Sequence, residues 1–337
     1  MKAASSIASV FAILFIVFLW AASQSGVAHS GFQSPGEGHR SQNAPGARNP
    51  GRLKAAALQS RSRIPSPASF RDDGDRGLIV STWINGAGRF EFSIDTGVGI
   101  TLISDRVAAL ANVSSEHGSA IPIGGLSGRY QATGREVLLT NLALESMDNT
   151  VPGTVKALVT HDLPPGIDGI LEPADAFRPL GFTIDMRTKE LAAFDPIVAP
   201  LSTMDVPTDG AVVKWIFADE SRRPFVMLTN GRRVLIDTGS SLGFAVSQEV
   251  AHSTGIFSIE DSETRSVRDI GGGTIGYRRV SPATINIGSL TLRNVPTEIL
   301  TGAVSDAPMI LGREALRPFY MAFDPVHRLI LIAPSAG

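Results

Sequence analysis

The chain contains no cysteine among its 337 residues. This absence excludes a thiol nucleophile, a disulfide framework and a cysteine-ligated zinc site. The six histidines are scattered along the chain, and no H-E-x-x-H motif is present. The sequence therefore gives no sign of a metal site, and the chemistry has to come from other side chains.

An excess of charge of either sign is also lacking. The chain has 30 basic and 32 acidic side chains, which give a formal net charge of −2. Such a balance offers no broad electrostatic reason to expect nucleic acid as a partner. Hydrophobic residues make up 43% and charged residues 18%, proportions that are typical of a folded globular protein.

One apolar run stands close to the N-terminus. Met1 and Lys2 precede the run from Val10 to Ala22, and small residues follow it. The run is short for a membrane-spanning helix, which needs about 20 residues, and it fits the hydrophobic region of a secretory signal. We predict that residues 1–29 are a signal peptide, or a membrane anchor if they are retained. The protein is then exported, either to a periplasm or outside the cell.

Residues 30–70 are rich in Gly, Pro, Ser, Arg and Gln and have no hydrophobic period. This composition predicts a flexible segment. Basic side chains gather in it, and Glu37 is its only acidic residue. Two interpretations stay open: a solvated linker, or a propeptide whose cations cover an acidic active site.

Long amphipathic helical patterns are nearly absent beyond Gly77. Short stretches rich in β-branched and aromatic residues alternate with turn residues, which predicts short strands. These stretches are 78–84, 89–95, 233–237, 243–247 and 328–333. Asn85-Gly86 and Asn230-Gly231 are hairpin signals. Short helices are predicted at 105–111, 174–178 and 313–316. The fold class is therefore all-β.

The chain repeats itself in three elements that recur in the same order. Asp-Thr-Gly begins at Asp95 and Asp237, Ile-Gly-Gly begins at Ile123 and Ile270, and an Arg-Pro pair follows each. The offsets are 142, 147 and 139 residues. Nearly constant offsets indicate duplication of one β module. We predict two homologous β-barrel-like lobes, at 77–199 and 210–335, with an active-site cleft between them.

The paired Asp-Thr-Gly triplets suggest a specific chemistry. Hydrolysis of a peptide without a metal or a covalent intermediate needs a base to activate water and an acid nearby. Two carboxylates that share one proton supply both roles, because like charges about 3 Å apart cannot both ionise. Asp95 and Asp237 are thus the candidate catalytic pair. Their supports are expected to be hydroxyls that bond across the pair and glycines that allow close backbone approach, namely Thr96, Gly97, Thr238 and Gly239.

With these motifs, residues 77 to 335 resemble the pepsin/retropepsin superfamily of aspartic peptidases, and the short lobes are similar to the retropepsin type. The resemblance implies that Asp95 and Asp237 are catalytic. The family's hydrophobic-hydrophobic-Gly element matches Ile310-Leu311-Gly312, whereas the first lobe reads Ile170-Leu171-Glu172. Ser240 matches a family serine that hydrogen-bonds an aspartate. The first lobe departs again here, with Val98 in that place.

The resemblance also implies substrate-covering flaps. In the first lobe they carry over onto Ile123, Gly124 and Gly125, and in the second lobe onto Ile270, Gly271 and Gly272. Tyr130 lies just beyond the first element. It is either a flap residue that hydrogen-bonds over the substrate or a half-buried tyrosine of a strand.

The sequence as a whole predicts a monomeric aspartic endopeptidase that needs no cofactor and acts on peptides or unfolded proteins. Because Val98 supplies no hydroxyl to the charged form of the pair, we expect a weakly acidic pH optimum. The alternative is a catalytically impaired peptide-binding protein of the same fold, since Val98 and Glu172 both lie in the first lobe.

Two other motifs occur by sequence alone. Gly239–Gly243 fits the G-x-S-x-G nucleophile elbow, which requires a strand, a turn and a helix of a parallel α/β sheet. Gly271–Gly276 fits G-x-G-x-x-G, which should open a helix in a βαβ unit. The strand-rich texture around both favours neither.

Overall fold

A computed structural model describes residues 12–14, 63–114, 120–217, 221–256 and 263–335. Apart from Ala12–Leu14, the predicted signal peptide lies outside these residues, as does most of the predicted flexible segment. The described end of that segment differs from the prediction, because strand β2 begins at Ala68. The side chains of Ala68 and Phe70 are buried, so this stretch is part of the core.

The described part of the chain is mostly β, as the sequence predicts. In the first half and the linker the strands are β1 (Ala12–Leu14), β2 (Ala68–Asp72), β3 (Leu78–Ile84), β4 (Ala87–Ile94), β5 (Thr101–Ser104), β6 (Ala120–Ile123), β7 (Ala132–Leu139), β8 (Leu142–Leu144), β9 (Val155–Thr160), β10 (Gly169–Leu171), β11 (Gly181–Asp185) and β12 (Glu190–Phe194). In the second half they are β13 (Ala211–Lys214), β14 (Phe225–Met227), β15 (Arg233–Asp237), β16 (Phe244–Ser247), β17 (Thr264–Asp269), β18 (Thr274–Ile287), β19 (Leu290–Thr301), β20 (Met309–Gly312), β21 (Phe319–Asp324) and β22 (Leu329–Pro334).

The helices of the described residues are short. The α-helices are α1 (Asp105–Leu110), α2 (Pro173–Ala176), α3 (Gln248–Thr254) and α4 (Arg313–Leu316), and 3₁₀ turns span Gly74–Arg76 and Leu201–Thr203. The three predicted helices are confirmed within a few residues at their ends. No described helix has the length and apolar character that crossing a membrane would need.

Two sets of strands share one topology. The first runs in the order β3-β4-β10-β5-β9-β7-β6, and the second in the order β14-β15-β20-β16-β19-β18-β17. Corresponding pairs agree in direction: β4·β10 and β15·β20 are parallel, as are β5·β9 and β16·β19, and the other four pairs in each set are antiparallel. The repeat seen in the sequence is therefore also a repeat of strand order. Each set is an open sheet rather than a closed barrel.

A third group of strands combines the two halves. Its order is β13-β22-β21-β11-β12-β2, and every neighbouring pair in it is antiparallel. Its central pair joins β11 of the first half to β21 of the second, with Ile184 opposite Met321. Both side chains are buried. This shared sheet lets the two strand sets meet in one compact unit, which includes the described residues from Ile64 onward.

The turn between β3 and β4 determines how β4, the strand that leads to Asp95, is placed. Asn85 and Gly86 join β3 to β4 with φ of 51° and 77°. These left-handed conformations are those of a type I′ hairpin turn, whose twist matches that of the flanking strands. β4 then pairs with β3 along one edge, and its last three residues pair with β10 along the other.

Candidate active site

The two aspartates lie at equivalent ends of the repeated topology. Asp95 follows β4, and Asp237 is the last residue of β15. Each strand is paired in parallel with the strand of the hydrophobic-hydrophobic element, so that Leu171 lies opposite Ile94 and Leu311 opposite Ile236. Both aspartates are fully buried. Duplication therefore places two carboxyl groups where the two strand sets meet.

The threonines of the two triplets bond each other's loops. The backbone N–H of Thr96 donates to Oγ1 of Thr238, and the N–H of Thr238 donates to Oγ1 of Thr96, both at 3.1 Å. Each hydroxyl then donates to a carbonyl of the opposite strand: Thr96 to Ile236 O at 2.7 Å, and Thr238 to Ile94 O at 3.0 Å. These four bonds form the cross-link that the sequence led us to expect.

The glycine of each triplet lets its backbone lie close to the carboxyl group of the opposite aspartate. A Cβ atom on Gly97 would lie 2.6 Å from Cγ of Asp237, and one on Gly239 would collide with the carboxyl group of Asp95. Any side chain at either position would therefore push the pair apart. The same glycines donate their N–H groups within their own loops, Gly97 to Asp95 Oδ1 at 2.7 Å and Gly239 to Asp237 Oδ1 at 2.9 Å.

The two carboxyl groups interact as a coupled pair. Burial and the neighbouring Asp237 raise the pKa of Asp95 well above its usual range. Burial also raises the pKa of Asp237, to about 6. Oδ2 of each residue is buried and receives no donor from the rest of the described residues, while the two side chains face each other. A single proton held between them supplies the missing donor.

Both carboxyl groups accept backbone N–H groups, and those of Gly97 and Val98 lower the pKa of Asp95. Asp237 is held in the same way. Its Oδ1 accepts from the N–H of Gly239 and also from that of Ser240, at 3.1 Å. Burial raises the pKa of both carboxyl groups. The two carboxyl groups therefore titrate as a pair that shares one proton.

Arg313 adds a buried cation that interacts with Asp237 and, more weakly, with Asp95. Its guanidinium donates to Asp72 Oδ1 at 3.1 Å and to Gly74 O at 2.7 Å, and its side chain is 4% exposed. Its backbone N–H donates to Ser240 O at 2.8 Å, in the loop of Asp237. Arg313 lowers the pKa of Asp237, and its own pKa is lowered by burial. Sequence reasoning missed Arg313 and Asp72, whose pairing spans 241 residues.

The loss of glycine at Glu172 has a local explanation. A Cβ on Gly312 would collide with Leu242 O and lie 3.0 Å from Ser240 O, so the second loop needs glycine there. Glu172 instead caps α2, with its carboxylate accepting from the N–H groups of Ala174 at 3.0 Å and Asp175 at 2.6 Å. Burial raises the pKa of Glu172 to about 8. The sequence Glu172-Pro173 could have predicted this helix start, because proline favours the first helical position.

The remaining loop positions also differ between the halves. Val98 is fully buried, so the position without a hydroxyl is apolar rather than exposed. Ser240 reaches Asp237 through its backbone N–H, and its hydroxyl accepts from Leu242 N at 3.3 Å. Glu298, missed from sequence, accepts from Gly243 N at 3.1 Å and pairs with Arg279 at 2.7 Å. Burial raises the pKa of Glu298 to about 7.

The two Ile-Gly-Gly elements lie in hairpins. We call β6, β7 and their connection (120–139) the first hairpin, and β17, β18 and their connection (264–287) the second hairpin. Ile123, Gly124 and Gly125 lie at the tip of the first, and Ile270, Gly271 and Gly272 at the tip of the second. All of these residues are buried except Gly272, which is half-buried.

Tyr130 does not belong to a strand, so the interpretation as a half-buried strand tyrosine is wrong. It lies in the connection of the first hairpin with 48% of its surface exposed. Its ring lies against the backbone of its own hairpin, where a Cβ on Gly124 would collide with Cε1 of Tyr130. The other tyrosine after an Ile-Gly-Gly element, Tyr277, is buried in β18.

The competing motifs lack the structure they require. Gly239–Gly243 runs into β16, a strand, where the nucleophile elbow needs a helix. Gly271–Gly276 crosses the tip of the second hairpin and enters β18, where a dinucleotide site needs a helix. Among the residues described, no three His, Asp or Glu side chains are grouped as a metal site would require.

Comparison with known families gives a match within the second half of the chain. The family model described as gag-polyprotein putative aspartyl protease matches residues 229–318. This segment includes Asp237, the second hairpin and Ile310-Leu311-Gly312, and it covers less than half of the chain. No curated protein matches the chain by sequence. The second half of this protein thus carries a segment similar to a retropepsin-like aspartyl protease domain.

Proposed function

We propose that the protein is an aspartic endopeptidase in which Asp95 and Asp237 activate a water molecule between them. The observation that carries this proposal is the pair of buried carboxyl groups held by reciprocal hydrogen bonds of Thr96 and Thr238. The family match to residues 229–318 supports it for the half that contains Asp237.

The cation of Arg313, which lowers the pKa of Asp237, suggests the roles of the two aspartates. Asp237, which carries the charge, removes a proton from the attacking water, while Asp95 donates its proton to the peptide carbonyl oxygen. The water oxygen bonds to the carbonyl carbon and gives a neutral gem-diol, with Asp237 now protonated and Asp95 ionised. Asp237 then protonates the amide nitrogen, Asp95 takes back a diol proton, and the C–N bond breaks. The pair ends in its starting protonation state.

Substrate class and cellular setting follow from the same proposal. An extended peptide or unfolded protein would bind between the hairpins and the Asp95–Asp237 pair, held by backbone hydrogen bonds as an added strand. The chain would act as a monomer, because it supplies both aspartates itself. Export rests on the apolar run near the N-terminus, and it is tested by following the full-length protein through cell fractionation.

The catalytically impaired alternative loses its two supports. Glu172 was one of them, and it is accommodated as the cap of α2. Val98, the other, is packed in an apolar cluster, and its backbone N–H lowers the pKa of Asp95 as that of Ser240 lowers the pKa of Asp237. The intact bonding around both triplets favours an active pair.

The decisive experiment is cleavage of an unfolded protein across pH 3 to 8 by the wild type and by Asp95→Asn and Asp237→Asn. Both variants keep the size of the side chain and remove the ionisable carboxyl group. Cleavage by the wild type that is lost in both variants is the expected result. Equal behaviour of all three proteins, with each one shown to be folded, would exclude the proposed mechanism.

A further inference from the structure

The tips of the two hairpins are in direct backbone contact. The N–H of Gln131 in the first hairpin donates to Gly271 O in the second at 3.0 Å. A Cβ on Gly271 would collide with Arg129 O and lie 2.6 Å from Gly125 N, and one on Gly273 would collide with Ser127. These glycines are therefore needed for contact between the hairpins, beyond any need of a tight turn.

Asp269 lies at the centre of this contact and is 3% exposed. Its Oδ1 accepts from Gly273 N of its own hairpin at 2.9 Å, and its Oδ2 accepts from Ser127 N of the first hairpin at 2.7 Å. Its carboxyl group also occupies the space that a side chain on Gly125 would need. One buried carboxylate thus binds both hairpins, through charge-assisted bonds that are costly to break when the acceptor is buried.

Each hairpin also places one apolar side chain in the opposite half. Leu126 of the first hairpin is fully buried in a cluster that otherwise consists of second-half residues, including Leu235, Leu242 and Ile310. Ile270 of the second hairpin is buried in a cluster of first-half residues that includes Val98 and Ile170. These contacts hold each hairpin against a loop that follows an aspartate, because Leu126 shares a cluster with Leu242 and Ile270 shares one with Val98.

We propose that Asp269 is a positioning residue that joins the two hairpins into one lid, which admits substrate by lifting as a unit. Lifting one hairpin alone would break the bond from Ser127 to Asp269 and the bond from Gln131 to Gly271. Lifting both together keeps those bonds, breaks the bond from the N–H of Val304 to Leu126 O, and withdraws Leu126 and Ile270 from their clusters.

The arrangement is one-sided. When the two Ile-Gly-Gly elements are aligned, Pro122 is the residue equivalent to Asp269. The first hairpin therefore has no matching carboxylate. A second aspartate at that position would bring two like charges to one small contact. The asymmetry is therefore what allows a single carboxylate to serve both hairpins.

The cleavage assays that test this inference rest on the proposed function. Hydrogen exchange tests the role of Asp269 without any need for cleavage activity. In Asp269→Asn, hydrogen exchange of the Ser127 amide is expected to rise about tenfold, since an asparagine retains only one acceptor oxygen. Exchange at Thr96 and Thr238 is expected to stay unchanged. Asp148→Asn, at an exposed position, is the matched control. Unchanged exchange at Ser127 in Asp269→Asn would overturn the role of Asp269.

Two engineered disulfides test the joint movement, in a chain that has no cysteine of its own. Gln131→Cys with Gly272→Cys joins the hairpins to each other, because a Cβ on Gly272 would lie 3.2 Å from Cβ of Gln131. Gly128→Cys with Val304→Cys ties the first hairpin to the body of the second half, with a Cβ separation of 3.9 Å. Disulfides require about 3.5–4.5 Å, so the first pair needs a small shift.

The two disulfides have opposite expected results. The oxidised hairpin-to-hairpin variant is expected to cleave as well as its reduced form, because the lid still lifts. The oxidised hairpin-to-body variant is expected to lose cleavage and to recover it on reduction. Loss of cleavage on oxidation in the hairpin-to-hairpin variant would show that the hairpins must part, which overturns the joint lid. If both reduced variants and the wild type are inactive, the proposed function fails while the exchange result for Asp269 stands by itself.

Discussion

Thr96 and Thr238 exchange hydrogen bonds at 3.1 Å in both directions, so each loop of the pair is held by the hydroxyl of the other. Thr96→Val keeps the shape of the side chain but leaves the buried N–H of Thr238 without its acceptor. We expect this change to lower the free energy of unfolding by about 2–4 kcal/mol and to reduce kcat/KM more than KM alone. Urea denaturation and steady-state kinetics measure the two effects. Thr96→Ser, which keeps the hydroxyl, is the control, and equal losses in both variants would contradict the role of the hydroxyl.

The pH–rate profile should show an acid limb near pH 6. The mechanism needs Asp237 ionised and Asp95 protonated, and burial raises the pKa of Asp237 to about 6. Activity is therefore expected to fall as the pH drops through about 6, where both carboxyl groups become protonated. At high pH it falls once Asp95 ionises, and the pKa of Asp95 is raised further by burial and by Asp237. A profile of kcat/KM that peaks near pH 2 would contradict this assignment.

Arg313 should set the position of that acid limb. Because Arg313 lowers the pKa of Asp237, replacing it by the uncharged Arg313→Met should move the limb to higher pH. Asp72→Asn keeps the cation and removes its acidic partner, so its limb should stay at or below the wild-type pH. The measurement is kcat/KM against pH for the three proteins, compared with their unfolding curves. Identical limbs in wild type and Arg313→Met would exclude an electrostatic role, whatever the change in stability.

Glu172 should make stability depend on pH. Its pKa rises from 4.5 to about 8 on folding because of burial, so the folded state binds a proton that the unfolded state releases. The stability that this proton provides is full below about pH 4.5 and is lost as the pH rises to about 8. Glu172→Ala should therefore destabilise the protein most near pH 4.5. The difference from wild type should shrink by on the order of 2–5 kcal/mol by pH 8. Denaturant unfolding at several pH values measures it, and a difference that does not change with pH would contradict the buried neutral carboxyl group.

The sequence predicted the parts of the fold that local pattern determines. β3 and β15 begin and end where the alternation of apolar residues predicts, and the Asn85-Gly86 turn has the positive φ angles its composition requires. The repeat predicted which two aspartates meet, since equivalent positions of a duplicated module become equivalent in space. The Asp-Thr-Gly context alone predicted the threonine cross-link.

The features that the sequence did not reveal depend on contacts between distant segments. Arg313 meets Asp72 across 241 residues, and nothing in the local pattern of either links them. Asp269 differs from a surface turn residue only through the first hairpin that packs on it. The predicted flexible segment, residues 30–70, extends too far. Ala68 begins strand β2, which is stabilised by pairing with β3 and β12.

The sheet shared by the two halves predicts how specific activity depends on protein concentration. β11 and β21 pair within a single chain, so the meeting of the two aspartates is a unimolecular event. An enzyme assembled from two separate subunits loses its active site as the concentration falls below the dissociation constant. Here the two halves cannot diffuse apart, and specific activity should stay constant however far the protein is diluted.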